Sequence, residues 1–159
     1  MSKLYIAYGS NLNKEQMKFR CPDAQLVGVG EIPNYQLLFR GGRNAVATIE
    51  PQEGKCVPFG LWKISDRDEL ALDRYEGYPN LYYKKSFAMQ IQGQSAEAMA
   101  YIMDPKYEIG VPSQTYYQTI QQGYRDCGLD CDVLDDAVQR SRAIYHKQLD
   151  MEAMQMGMK

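Results

Sequence analysis

The stretch Leu4-Tyr5-Ile6-Ala7-Tyr8-Gly9-Ser10-Asn11-Leu12 limits the fold more than any other part of the chain. Leu4, Tyr5, Ile6 and Tyr8 favour extended backbone, and the run is short, apolar and uncharged, so it predicts a buried strand. Gly9-Ser10-Asn11 then breaks the strand with three turn-forming residues. Asn13-Lys14-Glu15-Gln16 follows, a capping residue with a Gln three places on, which predicts a helix start. A strand that feeds a helix through so tight a turn can aim several backbone N–H groups at one point. The helix N-terminus adds partial positive charge, and together they suit a carboxylate or an oxyanion. The same residues also make a plain strand-to-helix turn, and local physics leaves both readings open.

Other chemistries are easier to set aside. Neither G-x-x-x-x-G-K-[ST] nor G-x-G-x-x-G occurs, so the turn is not a phosphate loop. Ser10 is not on a nucleophile elbow, because Tyr8 and Leu12 stand where glycines are needed. The single histidine, His146, falls late in a polar helical stretch, which argues against a serine–histidine pair.

The chain has 159 residues and a net charge of −2, with acids and bases mixed along it. That length predicts one domain with a real core. No basic stripe is present, so nucleic acid is not an expected partner. No apolar run nears the roughly 20 residues of a membrane span, so no membrane partner is expected. Met1-Ser2-Lys3 leads directly into the first strand, which predicts no signal peptide. Cys21, Cys56, Cys127 and Cys131 lack C-x-x-C spacing and have one histidine for company, so zinc is not expected. Free thiols in a reducing cytoplasm are the expectation. Tyrosine dominates the aromatics, with 13 against 4 phenylalanines and 1 tryptophan. That composition fits either a core with polar tips at the surface or a pocket lined with hydroxyls.

Further along, the pattern predicts helix at 14–20 and strands at 25–30, 35–40, 45–49 and 57–64, with a turn at Gly41-Gly42 and a polar loop at 51–55. Short strands in succession suggest a curved sheet or small barrel. Ser65-Asp66-Arg67-Asp68 opens a second helix that ends near Tyr75-Glu76, stopped by Gly77 and Pro79. Strands at 81–92 and 96–103, a loop to Pro112 and a Ser113-capped helix to Cys127 follow. A last helix starts after Asp130 and runs to about Leu149. One domain is expected over 1–150, with a frayed, methionine-rich tail over 151–159.

Glu76 stands out by position. An acid at a helix C-terminus meets the negative end of the dipole, at a cost of a few tenths to about 1 kcal/mol. Tyrosines crowd it in sequence, and desolvation by them would raise its pKa in the direction a general base needs. A solvated acid at a frayed helix end is the plainer alternative.

Taken together, these motifs resemble the gamma-glutamylcyclotransferase family. The similarity runs from Tyr8-Gly9-Ser10-Asn11-Leu12 through Ala47-Thr48-Ile49, Gly60-Leu61-Trp62-Lys63-Ile64 and Leu72-Asp73-Arg74-Tyr75-Glu76-Gly77. It continues through Ala100-Tyr101-Ile102-Met103 to Pro112-Ser113-Gln114-Thr115-Tyr116, in the family's order, over about residues 4–145. The resemblance implies a single α+β domain with a small, mixed, barrel-like sheet and flanking helices. It implies conversion of a γ-glutamyl-X amide to 5-oxoproline and free X, with no cofactor, and a transferase or lyase classification. It assigns the general base to Glu76 and backbone binding of substrate to Tyr8, Gly9, Ser10, Asn11 and Leu12. Pocket tyrosines map onto Tyr101 and Tyr116, and Tyr83 is a third candidate. Asn11 speaks against the glutathione-specific branch. A binding module without turnover and an enzyme for γ-glutamylamines or a biosynthetic intermediate are the alternatives, and a homodimer stays open.

Overall fold

The structure is a computed structural model and describes residues 2–157. The elements in chain order are β1 (Ser2–Ala7), a single 3-10 turn (Ser10–Leu12), α1 (Lys14–Arg20), β2 (Gln25–Arg40) and β3 (Val46–Ser65). These are followed by α2 (Asp66–Glu76), β4 (Tyr82–Ile91), β5 (Gln94–Met103), α3 (Gln114–Asp126) and α4 (Cys131–Gly157).

One mixed sheet holds all five strands, in the order β2-β3-β1-β5-β4. The opening strand is its centre: β1 pairs antiparallel with β3, Ala7 opposite Gly60, and parallel with β5, Tyr5 opposite Met99. Tyr5, Ile6 and Ala7 are buried in succession rather than alternately. That is the pattern of a strand covered on both faces, and it explains the uninterrupted apolar run. The end of β1 is therefore deep in the protein, and so is the turn it feeds.

The sheet is barrel-like without being closed. Its edge strands β2 and β4 share no ladder. The Tyr35 ring on β2 meets the Phe87 ring on β4 edge to face, centroids 5.3 Å apart. The sheet thus curls until its edges touch through side chains, and the α+β architecture implied by the resemblance is present.

Three local expectations change. The candidate strands at 25–30 and 35–40 are one long β2, interrupted by irregularities at Leu26/Gly28 and Pro33/Tyr35. The polar segment 51–55 is not a loop between strands, because β3 runs through it. Residues 52–55 bulge out opposite Asn34, and the Gly54 amide donates to Asn34 Oδ1 at 3.1 Å. Left-handed backbone at both Asn34 and Gly54 lets the bulge form without ending the ladder. Lastly, α4 does not stop near Leu149 but continues to Gly157, and residues 151–157 are exposed. Met, Glu, Gln and Ala are good helix formers, and no breaker precedes Gly157. Met158 and Lys159 lie outside the described residues. Among the described residues no helix is long and apolar enough to cross a membrane, and no group of three or more His, Cys, Asp or Glu side chains could hold a metal ion.

Helix α3 is seated on the 3-10 turn. Ser113 caps it, its Oγ accepting from the Tyr116 amide at 3.2 Å. Gly123 faces the turn so closely that an added Cβ would lie 2.6 Å from the Asn13 nitrogen and 2.7 Å from the Leu12 carbonyl carbon. Backbone on the other side cannot give way as a flexible side chain would. Gly123→Ala should therefore lower stability by about 1–3 kcal/mol, although alanine improves helix propensity by roughly 1 kcal/mol. Urea denaturation of the variant beside wild type measures this, and equal or greater stability would mean that α3 is free to move off the turn.

Candidate active site

Helix α2 places the acid. A reciprocal capping box fixes its start: Ser65 Oγ accepts from the Asp68 amide at 3.1 Å, and Asp68 Oδ2 accepts from the Ser65 amide at 3.2 Å. Gly77 ends the helix in the left-handed region, φ 63°. Glu76 is thus the last helical residue, as its sequence position suggested.

A cavity of about 270 Å³ opens beside it. Of the residues expected at the site, Tyr8, Gly9, Ser10, Asn11, Glu76, Tyr101 and Tyr116 line this one space. Two do not. Leu12 is wholly buried in the core, its side chain against Gly60 and Gly123. Tyr83 is 43% exposed and absent from the lining. Its neighbour Tyr82 lines the cavity instead. Successive strand residues face opposite ways, and the sequence around two adjacent tyrosines does not tell which faces inward. Sequence reasoning also missed Tyr5, Tyr75, Val46, Ala47 and Leu81 in the lining. The tyrosine excess was the signal for Tyr5 and Tyr75, and the three aliphatic residues had none.

Most tyrosine hydroxyls here are already engaged by the protein. Tyr8 donates to the backbone carbonyl of Tyr101. Tyr101 donates to Asp73 Oδ1 at 2.5 Å. Tyr82 donates to the Ala47 carbonyl at 2.7 Å, and Tyr116 accepts from the Ala47 amide at 3.0 Å. Tyr5 accepts from Asn11 Nδ2 at 2.9 Å, and Tyr75 lies 3.1 Å from Ser10 Oγ. Burial raises the pKa of Tyr5, Tyr8, Tyr82, Tyr101 and Tyr116, and the Asp73 carboxylate raises that of Tyr101 further. All five are neutral hydroxyls at pH 7.

The Asn11 side chain is committed as well. Besides Tyr5, it meets Arg20, whose Nη1 donates to Asn11 Oδ1. What the turn leaves free is backbone. Leu12 and Asn13 close it by donating to the Gly9 and Ser10 carbonyls at 3.1 and 3.0 Å. The Ser10 and Asn11 amides, at its open start, have no protein acceptor among the described residues.

Against these donors stands one carboxylate. Among the described residues the Glu76 carboxylate makes no hydrogen bond or ion pair within the protein. Burial raises its pKa to about 7, and the nearby Arg20 charge restrains the rise. A carboxylate at that value takes up and releases a proton near neutrality. The turn that carries these donors and a poised, unpartnered acid therefore line one small aromatic cavity.

Residues 5–124 match the family described as gamma-glutamyl cyclotransferase, AIG2-like. The chain belongs to this family. Gamma-glutamylcyclotransferase of Homo sapiens is 30% identical over 139 residues, which cover 80% of this chain and 73% of that protein. The Bos taurus gamma-glutamylcyclotransferase is 30% identical over 138 residues, with the same coverage of each chain. A solved gamma-glutamyl cyclotransferase superposes with a TM-score of 0.75 at 28% identity, covering 91% of this chain and 88% of that one. These relatives belong to an enzyme family, and the fold and family implied by the motifs of the sequence are those found.

The raised pKa of Glu76 has a consequence for stability. Its ordinary value is 4.5 and its folded value about 7, so between those values the native state binds more protons than the unfolded chain. Stability contributed by this group is present below about pH 4.5 and is lost as pH rises toward 7. Glu76→Gln removes that dependence. The variant should be more stable than wild type by roughly 1–3 kcal/mol at pH 8, a range set by the shift and discounted for burying an amide. The advantage should shrink as pH falls to 4.5. Urea denaturation of both proteins across this pH range checks it, and a constant difference would place the Glu76 carboxylate in water.

Proposed function

We propose that this protein converts a γ-glutamyl-X amide into 5-oxoproline and free X. The observation that carries this reading is the unpartnered Glu76 carboxylate in a cavity that Ser10 and Asn11 of the turn also line. Family membership supplies the reaction class, and the cavity supplies groups suited to it.

The substrate carries its own nucleophile. Its α-amine attacks its γ-carbonyl carbon, a C–N bond forms to close a five-membered ring, and the C–N bond to X breaks. Holding the chain folded so that amine and carbonyl meet supplies much of the acceleration. At pH 7 the amine is mostly protonated and inert. Glu76, with a pKa near that pH, accepts its proton and later returns one to the departing nitrogen of X. The Ser10 and Asn11 amides suit either the substrate α-carboxylate or the oxyanion that develops on the γ-carbonyl. The ring faces of Tyr5, Tyr75 and Tyr82 exclude water and supply apolar walls. Tyr101 and Tyr116 act mainly through position, because their hydroxyls are held by Asp73 and Ala47. A cavity of about 270 Å³ is small beside the roughly 300–1,000 Å³ of drug-sized sites, which suits a compact substrate. The four cysteines are free, with Cys56 exposed, in keeping with a reducing cytoplasm.

Incubation with a panel of γ-glutamyl amino acids and γ-glutamylamines, read by mass spectrometry for 5-oxoproline, tests the reaction and identifies X. Glu76→Gln keeps the shape of the side chain but accepts no proton. Turnover on the best substrate should fall at least 10²–10⁴-fold, the usual loss for a general base. For wild type, kcat/KM should rise with pH through about 7 as Glu76 ionises. Comparable turnover by the variant would remove Glu76 as the base.

A further inference from the structure

Arg20 ends α1 and reaches two walls of the cavity. Its Nη1 donates to Asn11 Oδ1, its Nη2 to Gln16 Oε1 at 3.3 Å, and its Cζ lies 3.4 Å from the centroid of the Tyr75 ring. Each contact continues into the site. Asn11 holds the Tyr5 hydroxyl, and Tyr75 approaches Ser10 and directly precedes Glu76. Among the described residues no carboxylate forms an ion pair with this guanidinium. A half-buried cation without an acid partner costs stability, and the face of one tyrosine offsets only part of that cost.

The acid nearest in role is Glu76. Tyr5 and Tyr8 from β1 and its end, Tyr75 from α2, Tyr82 from β4 and Tyr116 from α3 line the cavity with it, and the charge that acts on it is that of Arg20 from α1. Burial raises the pKa of Tyr5, Tyr8, Tyr82 and Tyr116, so these four carry no charge at pH 7. Among the described residues Arg20 is the cation of this set.

We infer that Arg20 is a positioning residue for the reaction: its guanidinium clamps the Asn11 side chain and the Tyr75 ring together, fixing the Ser10–Leu12 turn against the end of α2, and the same stacking sets its charge beside the residue that precedes Glu76. The kinetic part rests on the proposed cyclisation; the electrostatic part does not. An arginine suits both tasks. Its planar fork donates to two acceptors while its face stacks on a ring, which an ammonium cannot do.

Two substitutions separate the tasks. Arg20→Gln has no charge, and its shorter side chain gives up the fork as well. Arg20→Lys keeps the charge but loses the fork and the flat stacking. In Arg20→Gln the pKa in the kcat/KM profile should move up by about half a unit to one unit, as expected for loss of a neighbouring opposite charge. In Arg20→Lys that pKa should stay in place, while the plateau of kcat/KM falls about tenfold or more through misplacement. The same charge effect is read without substrate. The stability difference between Arg20→Gln and Arg20→Gln/Glu76→Gln should level off at a higher pH than the difference between wild type and Glu76→Gln.

Wild-type pKa and wild-type kcat/KM in Arg20→Gln overturn the inference. If that variant does not fold, Arg20→Lys decides: a tenfold loss with an unmoved pKa supports the clamp, and wild-type kcat/KM overturns it. If wild type releases no 5-oxoproline from any γ-glutamyl compound, the proposed function fails by itself. The stability comparison then still decides whether Arg20 acts on Glu76, and an unmoved levelling point overturns that.

Discussion

The hydrogen bonds of Asn11 hold the site in place. This residue is 2% exposed, so its side-chain amide needs partners inside the protein. Its side-chain amide nitrogen donates to Tyr5 on the central strand, its side-chain oxygen accepts from Arg20 on α1, and its backbone carbonyl accepts from Trp62 Nε1 on β3 at 3.1 Å. Three elements are thereby tied to one residue of a three-residue turn. Loss of a partner would strand a buried polar group, at roughly 1–3 kcal/mol each. The turn is therefore rigid, and its unpaired amides have a fixed direction.

Rigidity elsewhere follows the same logic. Gly123 brings α3 against the back of the turn at backbone distance. Tyr82 and Tyr116 grip the two polar groups of Ala47, so β3, β4 and α3 share one small node. Asp73 holds the Tyr101 hydroxyl and is itself held by Lys84 Nζ at 2.9 Å, which also meets Glu69 at 3.0 Å. The tyrosine hydroxyls that first suggest a ligand-binding surface are thus largely structural. They satisfy one another's surroundings and leave Glu76, among the described residues of the cavity, as the carboxylate without a partner. An acid left so is costly to stability, which is the usual relation between a poised site and the fold that carries it.

Much of this was legible in the residues. The strand, the break at Gly9-Ser10-Asn11 and the helix after Asn13 are local events, governed by propensity, turn chemistry and capping, and they occur where the sequence puts them. The end of α2 is equally local. Gly77 adopts the left-handed conformation that other residues resist, so the helix stops and Glu76 is its last residue. Chain order also carried the family resemblance.

The sequence by itself determined these local elements, the position of Glu76 at a helix end and the family to which the chain belongs. Tertiary structure alone decided which side chains converge. Tyr82 and not Tyr83 enters the cavity because the pleat sends neighbours to opposite faces, and only the packed sheet says which face is inside. Leu12 leaves the site for the core because α3 and Gly60 lie behind it. Segment 51–55 stays in β3 because a bulge opposite Asn34 absorbs the polar residues that locally read as a loop. Arg20 lies 56 positions before Glu76 and has no sequence signal of its own. Its contacts exist because the fold brings α1 beside the end of α2, and pairing over such separations is a property of packing, which no local pattern encodes.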